Sequence, residues 1–583
     1  MIATIEIQKT EPFVGGAEFG AVGAYIRIDG VATGTLDPSH PGNRGIALLE
    51  RAPRNADGLV PYRAGFTILR PVEPAQGNGR ILYEVNNRGR IMLFAAMCAG
   101  NAGNEPEAAA DLGNALPLRL GFTLMWSGWD AGAPAATGLS LEVPVIEDLI
   151  QPIREEFVSA TRLGNHEAFR LTYEAATPDI AVTVRRTQTA PRANVSATLF
   201  DSRTVRPETS PKPGSIYEVR YTARKPRVLG IGFAAIRDIV SHVRSNGASL
   251  LGRPVTHVLA FGISQAGRYL RDHVAQGLNR DESGQRVLDG VFTHVAGIGR
   301  LFYNTPFAQP FRTRIWHEDH DFPEVVFPFS AATQHDPITG ATAGLLAGDG
   351  SDPKLIETNT STEYWQKGAS LLHTDPLGTT DIPLPDTVRG YFLAGTQHGG
   401  KAGMPRDRGP CVNPRNWHDP MAAVRALLVV LDEWVVFDRT PPDSQLPRIA
   451  DGTLVSSEAL VAGDAPAPND VTVLLDWTEP RTGGAYKALV PQVDADGNEI
   501  AGLRLPDIAV PIGTFTGWNR YAPPWPDGEL ADRDGSFLAF PDPVLAERHP
   551  GESYRMKRAE AVDALLADRL LLAEDAEAYR SIT

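Results

Sequence analysis

Residues 257–270, His-Val-Leu-Ala-Phe-Gly-Ile-Ser-Gln-Ala-Gly-Arg-Tyr-Leu, place a serine where it could act as a nucleophile. The apolar run Val255 to Phe261 predicts a buried strand, Gly262-Ile263-Ser264-Gln265-Ala266-Gly267 a sharp turn, and the residues beyond it a helix. A strand-to-helix turn this tight holds its central residue in a strained conformation and needs small neighbours two positions away. Gly262 and Ala266 meet that need, although glycine is the usual residue at the second position. The hydroxyl of Ser264 then projects above the carboxyl edge of a sheet. It also lies at a helix N-terminus, where amides and the helix dipole favour developing negative charge. The chemistry on offer is attack on a carbonyl carbon. Short Gly-x-Ser-x-small matches occur by chance in long chains, so the strand before, the helix after and suitable partners downstream carry the reading.

A serine hydroxyl needs a general base, and the base needs an acid to orient it. On a serine turn of this kind the partners follow in the order Ser, Asp/Glu, His, each in a loop after a sheet strand. The run Val388 to Ala394 predicts a strand that leads through Gly395-Thr396-Gln397 to His398, just before Gly399-Gly400, which makes His398 the expected base. His418, in Asn416-Trp417-His418-Asp419, has no strand before it, and His373 precedes the strand that leads to His398. His317 and His320, three apart in His-Glu-Asp-His-Asp, could suggest a metal cluster, but a polar loop is the plainer reading and this hydrolysis needs no metal. For the acid, Lys354 to Thr358 predicts a strand followed by a polar loop in which Glu363 is the choice, with Asp375 and Asp381 as alternatives. The carboxylate would fix the imidazole tautomer and stabilise the imidazolium without taking its proton. The oxyanion hole needs two backbone amides. One is expected from Gln265, the other from Arg88 or Gly89 in the loop after Gly79 to Val85, a stretch that also reads as a plain turn.

The elements that must position these residues follow a strand–helix–strand rhythm. Gly79 to Val85 predicts a buried strand, Glu105 to Leu120 a helix and Gly121 to Trp129 a second buried strand, the pattern of a parallel sheet. The rhythm breaks at 133–225, where polar and apolar positions alternate, as in Leu171 to Tyr173 and Ile180 to Arg185. This predicts a β-rich insertion, a candidate lid. A helix is predicted at Gly230 to Val243, a strand at Gly290 to Ala296, a Pro/Gly-rich passage over 300–352, and a strongly amphipathic helix at Met421 to Phe437. After Pro441-Pro442 the chain reads as β and loop, closing with a helix from about 553 to 575. The expected fold is therefore α/β: an α/β-hydrolase core, a mostly parallel sheet flanked by helices, with β-rich N-terminal, inserted and C-terminal segments. The expected divisions are 1–75 (β-rich lead-in), 76–132 (first half of the core), 133–225 (insertion), 226–440 (second half of the core, with the triad) and 441–583 (C-terminal β/loop segment and final helix).

The combined motifs carry a resemblance. Gly230-Ile-Gly-Phe-Ala-Ala-Ile-Arg-Asp238, Phe261-Gly-Ile-Ser-Gln-Ala-Gly-Arg268, Thr360-Ser-Thr-Glu-Tyr-Trp365 and Ala394-Gly-Thr-Gln-His398 resemble a bacterial group known as alpha/beta hydrolase domain-containing proteins. Trp126-Ser-Gly-Trp129 and Gly517-Trp-Asn519 look similar too, and the likeness spans most of the chain. The resemblance implies an α/β-hydrolase core and esterase activity, with Ser264, Glu363 and His398 as its triad, but no particular substrate.

Composition narrows the classes further. The 583 residues are 42% hydrophobic and carry a net charge of −15, spread along the chain, which disfavours nucleic acid as a partner. No apolar run reaches the roughly 18 residues of a membrane span. The opening Met1-Ile-Ala-Thr-Ile-Glu6 has neither a basic n-region nor an apolar h-region, so a cytoplasmic location is expected; a secreted or periplasmic mature form would read the same. The two cysteines, Cys98 and Cys411, lack metal spacing and read as free thiols. The expectation is a cofactor-free serine esterase (a carboxylesterase) acting on a small-molecule ester, with no fixed oligomeric state. Trp126, Trp129, Trp365 and Trp417 are candidate pocket walls for aromatic or bulky substrates, with ordinary core packing the alternative for each. The rival readings are an amidase or peptidase with the same triad, a non-catalytic binding protein on a hydrolase scaffold, and carbohydrate binding by the β-rich N- and C-terminal parts.

Overall fold

A computed structural model describes the chain apart from residues 101–102, 160–167, 188–189, 209–211, 310–325, 402, 461–465, 467, 469–470, 477–480 and 582–583. His317 and His320 lie outside the described residues. The centre is one mixed sheet. Strands β1 (Ile2–Pro12), β2 (Tyr25–Leu36) and β3 (Val60–Pro71) form an antiparallel meander, and β3 pairs antiparallel with β5 (Thr123–Ser127). From β5 onward the neighbours β4 (Arg80–Glu84), β14 (His257–Ile263), β15 (Gly290–His294), β18 (Lys354–Thr360) and β19 (Val388–Leu393) are all parallel. The spatial order is β1-β2-β3-β5-β4-β14-β15-β18-β19, with short β6 (Leu141–Glu142) pairing on β3.

The two-residue period of a strand sorts the core into two halves. Along β14, Val258 and Ala260 join one cluster with Phe233, Ile236 and Tyr269. Leu259 and Phe261 point the other way, into a cluster with Leu427, Leu428 and Leu431. Helices α3 (Ile231–Ser245) and α5 (Gln265–Ala275) cover the first face, and α7 (Met421–Phe437) covers the second together with α1 (Leu93–Met97). A strand covered on both faces must be apolar throughout, which is why 257–263 lacks the polar/apolar alternation of an exposed strand. Short α4 (Gly247–Leu250) follows α3.

The long helix expected over Glu105 to Leu120 is absent. A single 3-10 turn covers Ala109–Leu112, and α2 spans only Leu116–Arg119. Gly113 sits at φ 54°, and a Cβ there would lie 2.2 Å from the carbonyl oxygen of Cys98, so the chain turns at that point. Pro117 belongs to the first turn of α2, where a missing amide is harmless.

Within 150–224 the described residues form two small sheets outside the central one. One has the order β10 (Ala193–Val195), β9 (Glu174–Arg185), β13 (Ile216–Arg224), β7 (Ile150–Val158); the other runs β11 (Ala197–Asp201), β12 (Thr204–Pro207), β8 (Phe169–Arg170). Leu171 to Tyr173 is a bend just before β9, while Ile180 to Arg185 lies within it. The chain beyond β15 docks on this insertion: Tyr173 Oη donates to the Ala308 carbonyl at 2.5 Å and Gln309 Nε2 to the Arg154 carbonyl at 2.7 Å. Arg186 donates to the carbonyls of Pro213 and Pro524, tying the insertion to the C-terminal segment.

A hairpin of β16 (Gln334–His335) and β17 (Thr342–Ala343) precedes β18, and α6 (Ser361–Gln366) follows it directly. Beyond α7 come the short pairs β20 (Leu454–Val455) with β23 (Val490–Pro491), β21 (Val471–Asp476) with β22 (Arg481–Tyr486), and β24 (Gly513–Thr516) with β25 (Ser536–Ala539). The helices there are α8 (Pro506–Ala509), α9 (Asp542–Arg548), α10 (Ser553–Ala567) and α11 (Ala573–Arg580), so the single closing helix expected from about 553 to 575 is divided in two. This segment is joined to the sheet: Leu503 N donates to the Phe392 carbonyl at 2.7 Å, and Ala394 N to the Leu503 carbonyl at 3.1 Å. Among the described residues no helix is long and apolar enough to cross a membrane. Cys98 and Cys411 are both buried and not joined in a disulfide.

Candidate active site

Ser264 caps the N-terminus of α5 with φ 56° and ψ −114°, a backbone state that costs a non-glycine residue about 1–3 kcal/mol. The surroundings hold it there. Its amide donates to the His294 carbonyl on the neighbouring strand at 2.8 Å, and its carbonyl accepts from Arg268 N at 2.9 Å. Gly262 makes the turn sterically possible, since a Cβ there would lie 2.5 Å from the carbonyl oxygen of Ala266.

His398, at the end of the loop after β19, reaches Ser264. Its Nε2 lies 2.9 Å from Ser264 Oγ. Its Nδ1 lies 2.5 Å from Glu363 Oε1, with Nδ1–H donating to the carboxylate. The backbone amide of His398 donates to Thr362 Oγ1 at 3.1 Å, and that hydroxyl donates onward to the Gly517 carbonyl at 2.6 Å. Sequence order and strand ends point to these three residues, and the fold brings them into one hydrogen-bonded chain.

Glu363 is set by its own helix start. Thr360-Ser361-Thr362-Glu363 forms a capping box, in which the Glu363 carboxylate accepts from Thr360 N at 3.0 Å and from the Thr360 hydroxyl through Oε2. One carboxylate oxygen serves the helix N-terminus and the other serves the imidazole. Full burial by itself would raise the Glu363 pKa. The adjacent imidazole, its hydrogen bond and the Thr360 hydroxyl outweigh that and hold the carboxyl below its usual range, as an orienting anion requires. The alternatives lie elsewhere: Asp375 caps the turn at Leu377, Thr379 and Thr380, and Asp381 accepts from the amides of Ile449 and Ala450. Among the rival histidines, His373 Nε2 pairs with Tyr364 Oη at 2.9 Å, and His418 is buried beside Asp507. His294 adjoins Ser264, but its Nδ1 bonds Thr358 Oγ1 and burial pushes its pKa down to about 4, so it stays neutral.

Gln265 is the first residue of α5, a position where backbone amides point out of the helix and the helix dipole favours negative charge. The expected donors at Arg88 and Gly89 are engaged within their own loop. Gly89 N donates to Asn86 Oδ1 at 2.6 Å and Arg88 N to the Asn86 carbonyl at 2.9 Å, so in this conformation both amides already have acceptors. Asn86 organises the loop, since its side chain also donates to the Ser127 carbonyl at 2.8 Å. Nothing in a Gly-rich turn sequence marks amides as taken.

Two of the four tryptophans take the alternative reading, core packing. Trp126 is wholly buried, its indole N–H donating to Glu84 at 2.6 Å and its ring 5.7 Å from Phe94. Trp129 is also wholly buried, donating to the Asn86 carbonyl at 2.8 Å between Tyr269 and Tyr303. Both pack into the core beneath the loops. Trp365 lies in α6 against Trp518, and Trp417 packs on Phe515 and Phe537 under the Arg406 guanidinium. Among the described residues, no group of three or more His, Cys, Asp and Glu is arranged to hold a metal.

With the sheet, the helices and the serine turn in place, comparison with known proteins assigns the family. The chain belongs to the α/β-hydrolase domain family, whose profile, described as "Alpha/beta hydrolase domain", matches residues 180–581. The match begins inside the inserted sheet and runs through the C-terminal segment. Curated protein sequences give no match. Among solved structures, a protein from Sulfolobus solfataricus with a provisional lipase assignment aligns at TM-score 0.20 and 9% identity, over 50% of this chain and 49% of that one. The siderophore hydrolase EstA from Aspergillus nidulans aligns at TM-score 0.19 and 12% identity, over 57% of this chain and 70% of its own. The chain thus spans about half the length of the first of these, and superpositions this loose say nothing about chemistry.

Proposed function

We propose that the protein is a serine hydrolase that cleaves a carboxylic ester through an acyl-enzyme intermediate. The observation that carries this reading is the continuous chain from Ser264 Oγ to His398 Nε2 at 2.9 Å and from His398 Nδ1 to Glu363 Oε1 at 2.5 Å. Ser264 attacks the ester carbonyl while His398 Nε2 takes its proton. The imidazolium keeps its Nδ1 proton directed at Glu363, which stays ionised throughout. The carbonyl oxygen becomes an oxyanion over the N-terminus of α5, where the Gln265 amide and the helix dipole stabilise it. Collapse expels the alcohol, which leaves with the proton from His398. Water, deprotonated by the same imidazole, then attacks the acyl-serine and releases the acid. The steps need only the chain's own groups and water.

The test is a panel of p-nitrophenyl and aryl esters with matched anilides, run on the wild type and on Ser264→Ala. Ester turnover that disappears in the variant supports the reading. Ester turnover that persists overturns it, and turnover confined to the anilides moves the assignment to an amidase.

A further inference from the structure

The C-terminal segment carries a carboxylate into the back of the triad. We propose that Glu499 is a positioning residue for catalysis, clamping the loop that bears the acid to the loop that bears the base. The inference rests on the serine-hydrolase reading. Glu499 Oε1 accepts from Ser361 Oγ at 2.6 Å, and Oε2 accepts from Gly395 N, also at 2.6 Å. Ser361 is the first residue of α6, two before Glu363. Gly395 follows β19, three before His398. One buried side chain therefore joins the two loops whose spacing sets the His398–Glu363 bond.

Backbone pairing fixes where that side chain stands. Leu503 adds a parallel rung beside β19 through its bonds with Phe392 and Ala394. Just before Glu499, Asn498 donates to the Gly513 carbonyl at 3.2 Å and accepts from Phe515 N at 2.9 Å. Both ends of the short segment bearing Glu499 are thus held. A carboxylate costs more to bury than an apolar residue, and burial raises the Glu499 pKa to about 7. Apolar packing could support the loops. What the carboxylate adds is two acceptors in one rigid plane, matched here to two donors on different loops. Catalytic groups must be held to about 0.5 Å, and slack of about 1 Å from a remote change can cost 10²-fold.

The test compares kcat and KM for ester turnover, and thermal unfolding, in the wild type, Glu499→Ala, Glu499→Gln and Ser361→Ala. In Glu499→Ala, kcat should fall about 10- to 100-fold with KM changed less than about threefold. Glu499→Gln should recover to within about threefold, because its amide oxygen accepts from Gly395 and its NH2 donates to Ser361 Oγ. Ser361→Ala removes one arm of the clamp and should lower kcat by a smaller factor than Glu499→Ala, again with KM held. Lower thermal stability with kcat intact in Glu499→Ala would make Glu499 a purely structural residue and overturn the proposal. If Glu499→Ala does not fold, undiminished kcat in Ser361→Ala overturns it equally. A wild type without Ser264-dependent turnover instead overturns the hydrolase reading, and this inference falls with it.

Discussion

Replacing Glu363 by glutamine should disable the base by turning its imidazole to the wrong tautomer. Glu363 Oε2 accepts from the Thr360 amide and hydroxyl, and Oε1 accepts from His398 Nδ1. In Glu363→Gln the amide oxygen can replace only one of these. Setting the NH2 group against the Thr360 amide opposes two donors in a buried site, which costs about 1–3 kcal/mol. The oxygen therefore stays with Thr360 and the NH2 group faces His398. Nδ1 must then accept, the ring proton moves to Nε2, and Nε2 can no longer take a proton from Ser264. The productive rotamer is depleted about 5- to 150-fold. Within it, the imidazolium has lost a charged hydrogen bond worth about 1.5–3 kcal/mol, a further 10- to 150-fold. Together kcat should fall about 10² to 10⁴-fold, with KM little changed. Steady-state ester kinetics with a thermal melt form the assay, and the melt at neutral pH should fall only modestly, because the capping bonds survive and only the component carried by the ionised carboxylate is lost. The acid response should change as well. Glu363 is held below its usual pKa, so it supplies stability above its unfolded value that is lost as pH falls through its folded value. The glutamine variant should lose that component. A folded Glu363→Gln enzyme within tenfold of wild-type kcat would refute the reasoning, leaving Glu363 as a helix cap and nothing more.

Gly262→Ala should destabilise the protein by about 1–3 kcal/mol and sharply reduce turnover, because the new methyl group meets the Ala266 carbonyl and forces the serine turn open; urea titration and ester kinetics read both. Arg271 in α5 forms a buried ion pair with Glu357 of β18 and donates to the Phe329 carbonyl. Arg271→Met strands the Glu357 charge and should cost about 3–5 kcal/mol in a denaturant titration. Glu84 and Glu499 are both raised to about 7, chiefly by burial, so each holds its proton more tightly in the folded state. Stability should therefore fall as pH rises from 4.5 to about 7, by up to about 3 kcal/mol per group. Urea midpoints measured across that range should show the decline, and Glu499→Gln should flatten it.

The proposed triad was legible because each of its three residues ends a local pattern. The apolar strand before Gly262-x-Ser264, the strand Lys354 to Thr358 with a polar loop behind it, and the strand before His398 are short-range signals. The order of partners along the chain joins them. The capping box at Thr360 to Glu363 was readable by the same means, as Thr-x-x-Glu before a helix. Residues whose roles depend on distant contacts were not legible. Glu499 meets partners 138 and 104 positions away in sequence, and no local pattern marks it. Arg88 and Gly89 look like available amides until the Asn86 side chain is seen folded back on the loop. Trp126 and Trp129 fit a pocket wall by residue type, yet their N–H groups find partners in the core. Glu105 to Leu120 is rich in helix formers, but Gly113 and Pro117 divide it.

The central claim is that Ser264 is the nucleophile, and covalent trapping tests it most directly. The protein is treated with a fluorophosphonate and the adduct is located by intact mass and peptide mapping. A single phosphonyl group on Ser264, absent from Ser264→Ala and suppressed in His398→Ala, is the predicted result. An adduct on another residue, or labelling unchanged in Ser264→Ala, would contradict the account.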